Sequence, residues 1–320
     1  MSMVLPMRVV RSPPRADDRG VNDPYTALMP DNLRVRSVPR HRTWFRDGRT
    51  SVYVDRWGDP NASRRTLFLH GMGGHSGLLA PFAAAVAHQG VHVIVPDLPG
   101  FGRTRVPDRA GIRYPHWVET ACALARAEQE EFGARIALVG ASVGGMLAYD
   151  VATRTEAAHT VVATCLLDPR QSAVLRHISH RPWLGALAPR AARLLAGPFA
   201  NVSLPVRMLS NMGAISNQPE LTRAVLRDRS GGGNKVPLGF LRSYLETGPL
   251  VEPEHAHGFT LVLAHPERYR WTPVEVSSPF FDRVAAPKEL VMLPNAGHLP
   301  VEEPGLGRLI ETIVEASTPA

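Results

Sequence analysis

The chain has 320 residues, enough for one large α/β domain carrying an insertion or for two ordinary domains. Its 44% apolar and 20% charged composition, with 27 Gly and 29 Pro, is that of a globular protein, and no stretch approaches the ~18 consecutive apolar residues of a membrane span. The net charge of +7 is carried almost wholly by arginine, dispersed except for a mild concentration in the first fifty residues, and without aromatic interleaving or a nucleic-acid motif it predicts no nucleic-acid partner.

Residues 1–40 are rich in Pro, Arg and Asp without periodicity and read as an irregular N-terminal arm. Their apolar run, broken by Pro6 and Arg8, is too short for a signal peptide, so the expected location is cytoplasmic. "RTWFRDGRTSVYVDRWGD" holds two β-type runs around Asp47-Gly48, a hairpin signal. Buried strands follow at 66–71 and 91–100, with helical spacing at 78–89 between them. A helix over 115–132, holding Cys122, leads to the strand "RIALVG", a helix from about 143 to 155, and the strand "TVVATCLLD" ending at Asp168. Cys122 and Cys165 show no paired spacing, which predicts a reduced chain. No metal-ligand cluster and no cofactor motif stands out.

The rhythm breaks at Pro169. From there to Gly258 the sequence offers helical pieces and the loop "SGGGNKVP" but no convincing strand. Strand signals resume with "FTLVLAHP" and "KELVMLPNAGH", separated by a short helix at 276–286, and "GLGRLIETIVEA" closes the chain as a helix. The expected fold is α/β: a mostly parallel central sheet with helices on both faces, residues 41–168 and 259–320, interrupted by a helical insertion at 169–258.

Gly140-Ala141-Ser142-Val143-Gly144 fits G-x-S-x-G between a strand and a helix, a turn that strains and exposes a serine. "LHGMGG" after an earlier strand offers backbone N–H groups to a developing oxyanion, with Met72 and Val143 as the two donors. His298, in "NAGHLPVEEP" after the last strand, is placed to act as the base that a serine hydroxyl requires. With "DLPGFGRT" at 97–104, this order of parts resembles the α/β-hydrolase family from about residue 42 to 316.

The resemblance implies a catalytic triad, yet Tyr269 of "LAHPERYRWTP" stands where most relatives carry the aspartate. A neutral phenol, with a pKa near ~10, cannot hold an imidazolium by charge. Some members carry the acid at the end of the strand after the nucleophile helix, which implies Asp168; Glu267 is the alternative. The resemblance also implies that the insertion forms a cap over the serine, with His70, Gly71, Trp183 and Phe240 expected at the substrate pocket. The expected function is a serine hydrolase acting through an acyl-enzyme on a small ester, thioester or similar activated carbonyl, with no cofactor or metal and a small molecule as partner. The alternatives are a lyase, cyclase or carbon-carbon bond hydrolase using His298 as base, or a non-catalytic ligand-binding relative.

Overall fold

A computed structural model describes residues 9–10, 25–34, 38–179, 181–269 and 271–319. Much of the predicted N-terminal arm therefore lies outside the described residues. Its described parts include β1 (Val9–Val10) and two short 3₁₀ turns that bury Met29 and Leu33. The Tyr25 hydroxyl donates to Asp228, 2.6 Å away, so this part of the arm is packed where the sequence reads as irregular.

The hairpin is present as β2 (Arg40–Asp47) and β3 (Thr50–Trp57), turning at Gly48, whose φ of 55° suits a residue without Cβ. Then strands and helices alternate: β4 (Arg65–Leu69), α1 (Ser76–His88), β5 (His92–Pro96), α2 (Tyr114–Phe132), β6 (Ile136–Gly140), α3 (Val143–Thr155) and β7 (Ala158–Ala163). Burial of β4, β5 and β6 along their whole lengths explains why they read as continuous apolar runs.

Between β7 and the next strand of the sheet lie α4 (Ser172–Ile178), α5 (Pro182–Leu195), β8 (Ser203–Pro205), α6 (Val206–Leu209), α7 (Pro219–Arg227), β9 (Lys235–Pro237) and α8 (Leu238–Leu245). The pair β8–β9 is antiparallel and was not expected. Each is three residues long and contains proline, too short to show a period of two. The chain returns through β10 (Thr260–Pro266), α9 (Val274–Phe281), β11 (Lys288–Leu293) and α10 (Gly305–Ala316).

Among the described residues the main sheet has the order β1-β2-β3-β5-β4-β6-β7-β10-β11, parallel from β5 to β11 and antiparallel on the hairpin side. From β4 the chain moves one way to β5, then crosses back to β6 on the other side. Right-handed crossovers in opposite directions set α1 on one face, where it meets α10, and the packed pair α2 and α3 on the other. The reversal opens a crevice beyond the carboxyl ends of β4 and β6, where open α/β sheets place ligands.

Candidate active site

Ser142 sits at that crevice, between β6 and α3. Its φ of 58° and ψ of −127° are costly for a residue with a side chain, so the surroundings must impose them. They do so by crowding. A Cβ on Gly140 would lie 2.1 Å from the Gly144 carbonyl oxygen, and one on Gly144 would lie 2.2 Å from that of Leu69. The Ala141 N–H donates to Leu69 O at 3.0 Å, and the Ser142 N–H donates to Thr164 Oγ1 at 3.0 Å, tying the turn to both flanking strands.

Among the described residues the amides of Met72 and Val143 meet no backbone acceptor, and both residues line the same cavity as Ser142. Behind them His70 is buried and fully occupied: one ring nitrogen meets Gly71 O at 2.8 Å and the other accepts the Leu98 N–H at 2.9 Å. Burial pushes its pKa down to about 4. A neutral His70 therefore braces the loop after β4. With both ring nitrogens bonded, it has none left to bond a substrate. Gly71 and His70 line a smaller cavity of about 70 Å³ that Met72, Ser142 and His298 also line.

His298 enters from the loop after β11. That loop is joined to the one after β10 by two backbone bonds, Glu267 N–H to Leu293 O at 3.0 Å and Arg268 N–H to Ala296 O at 2.9 Å. The imidazole lies between two rings, with centroid distances of 4.9 Å to Tyr269 and 4.7 Å to Trp271. Burial, with a smaller effect from His265, pushes its pKa down to about 3. Its Nδ1 is hydrogen bonded to the Tyr269 hydroxyl. His298 and Ser142 line one cavity, although no direct hydrogen bond joins them.

The expected acid is not there. Asp168 is buried, but Oδ1 accepts the backbone N–H of Arg170 at 2.9 Å and its two oxygens take that residue's guanidinium at 2.8 to 3.1 Å. Arg170 in turn reaches Glu252 at 2.6 Å. The carboxylate thus anchors the start of the insertion. Glu267 accepts the Asn295 N–H at 3.1 Å and likewise makes no bond to His298. The residue that does so, Tyr269, was legible in the sequence as a departure from pattern. Thr164, which holds the serine amide, carried no signal because a threonine after a strand is common.

The cavity in front of Ser142 has a volume of about 390 Å³. Its walls are mostly apolar, with Leu175 and Ile178 from α4, Leu187 and Leu195 from α5, and Leu241 and Leu245 from α8 beside the rings of Tyr244 and Trp271. Neither Trp183 nor Phe240 lines it, which corrects both expectations. Trp183, in the first turn of α5, is 57% exposed. Phe240 is drawn to the opposite face of α8, into rings 5.0 Å from Trp117 and 6.2 Å from Tyr114. The helical spacing of Leu238, Leu241 and Leu245 marks the face that was missed.

Among the described residues no cluster of His, Cys, Asp and Glu could hold a metal ion, and no helix is long and apolar enough to cross a membrane. No curated protein matches the sequence. Solved structures do match its shape. A monoacylglycerol lipase of Paleococcus ferrophilus is 20% identical with a TM-score of 0.63, covering 83% of this chain and 99% of its own. A soluble variant of monoglyceride lipase from Saccharomyces cerevisiae is 14% identical with a TM-score of 0.70, covering 88% and 96%. A thermophilic esterase from Thermogutta terrifontis is 18% identical with a TM-score of 0.58, covering 87% and 98%. At these identities the likeness is one of fold. The sequence profile of the alpha/beta hydrolase family matches residues 66–306, well over half of the chain, and the protein belongs to that family.

Proposed function

We propose that this protein is a serine hydrolase that cleaves esters of apolar acyl groups through an acyl-enzyme. The observation that carries the reading is a strained Ser142 and a buried, neutral His298 lining one mostly apolar cavity of about 390 Å³. His298 Nε2 takes the Ser142 proton as Oγ attacks the substrate carbonyl. The Met72 and Val143 amides receive the oxyanion, and the same proton then leaves with the alcohol as the acyl bond breaks. Water repeats the sequence to release the acid. The insertion 169–258 acts as the cap, because its helices supply most of the cavity wall. That wall can hold an alkyl chain but offers few groups to bind a charge, which favours acyl chains over small polar acids.

The lipase and esterase relatives fit this reading by fold. A fluorophosphonate probe is expected to label Ser142 stoichiometrically, and Ser142→Ala is expected to lower hydrolysis of p-nitrophenyl esters at least about a thousandfold. Folded protein that takes no label and turns over no ester from acetate to dodecanoate would end the proposal. Retention of activity in the Ala variant would point instead to proton-transfer chemistry with His298 as base.

A further inference from the structure

A serine hydrolase needs its histidine in one tautomer, with the lone pair on Nε2 toward the serine and the proton on Nδ1. A carboxylate ordinarily fixes this by accepting the Nδ1 proton. Here neither nearby carboxylate is placed to do so. Asp168 is held by Arg170, and Glu267 by the Asn295 amide. The Nδ1 partner is the Tyr269 hydroxyl.

We infer that Tyr269 replaces the acid of the triad as a neutral positioning residue: its oxygen accepts the Nδ1 proton of His298 while its own proton points to Cys165 Sγ. A phenol has one proton and oxygen lone pairs, so it can do both at once. Cys165 lies on the far side, its sulfur 3.8 Å from the Tyr269 oxygen, and is completely buried. Burial holds both the phenol and the thiol in their neutral forms. The chain Nδ1–H to oxygen, O–H to sulfur thus runs in one direction and leaves Nε2 unprotonated. Were the phenol to donate to Nδ1 instead, Nε2 would carry a proton and could not take one from Ser142.

The phenol's proton does not transfer at any step. When Ser142 Oγ attacks, its proton passes to Nε2, and the resulting imidazolium keeps its Nδ1 bond to a neutral oxygen. The groups facing the ring are Ser142 from the turn after β6, Cys165 beyond β7, His265 at the end of β10, and Tyr269 and Trp271 from the loop that follows. None is an anion. The imidazolium therefore forms without a bonded counter-charge, and burial favours the neutral ring in the resting protein.

This inference rests on the Ser142–His298 reading, and one of its tests needs no turnover. Nitrogen-15 NMR of the resting protein should show His298 protonated at Nδ1 and bare at Nε2, and Tyr269→Phe should abolish that preference. The opposite tautomer in the wild type would overturn the assignment even if Ser142 labels normally. Kinetically, Tyr269→Phe, which keeps the ring, is expected to lower kcat about tenfold to a hundredfold with little change in KM. Unchanged kcat would refute it. Tyr269→Asp should add to kcat/KM an acid limb near the ordinary imidazole pKa of ~6.5, where the wild type is flat. A folded Asp variant with the wild-type profile would count against the inference, and so would a thousandfold loss of kcat in Asp168→Asn.

Discussion

Ser142 keeps a backbone conformation that bonds to both flanking strands sustain. Gly144→Ala is therefore expected to cost about 3 kcal/mol or more, since its methyl would meet the Leu69 carbonyl; a denaturant midpoint equal to wild type would contradict this. Asp168 gives the opposite kind of expectation. With its oxygens committed to Arg170, Asp168→Asn should leave kcat within about tenfold of wild type while lowering the melting temperature, measured by kinetics and calorimetry on one preparation. At this scale the turn at Ser142 was legible because a tight strand-to-helix turn constrains the residue types around it, and His298 because it follows the last strand. The acid was not, because an aspartate before proline looks alike whether it holds a histidine or caps its own loop. Only distances separate Asp168 from Tyr269.

Strands and helices of the main sheet were readable nearly throughout, since buried parallel strands make apolar runs and the helices between them keep a 3.6-residue stripe. The strand expected to end at Asp168 ends at Ala163, the remaining five residues forming the approach to the insertion. Within the insertion the periodicity of α8 was visible, but which of its two apolar faces meets the cavity was not. Phe240 and Leu241 are consecutive and project about 100° apart, one onto Trp117 and the other into the cavity. Leu241→Trp should fill part of the cavity and shift preference toward shorter acyl esters, with kcat/KM for a long chain falling about tenfold or more. An unchanged chain-length profile would show that the acyl group lies elsewhere.

Among the described residues five histidines are buried and their pKa is lowered, chiefly by burial: His70 and His265 are pushed down to about 4, His92 and His298 to about 3, and His159 is pushed down as well. In the unfolded chain each titrates near ~6.5. Between those values the unfolded state binds more protons, so stability present above about pH 6.5 is lost as pH falls toward 4. At pH 5 these shifts together cost on the order of several kcal/mol, a large share of the stability of an ordinary domain. The urea midpoint should be level from pH 7 to 8 and fall steeply below 6. A midpoint unchanged down to pH 5 would mean that these rings are hydrated.

Arg170 joins Asp168, where the chain leaves the sheet, to Glu252, close to where it returns, and Arg283 beyond β10 reaches Glu252 at 3.4 Å and Glu254 at 2.5 Å. The two crossings are thus stitched into one seam. Whatever happens to the eighty or so residues beyond it, the sheet sees a short closed loop. Such a seam lets evolution, or an engineer, exchange the insertion while the sheet keeps its own register.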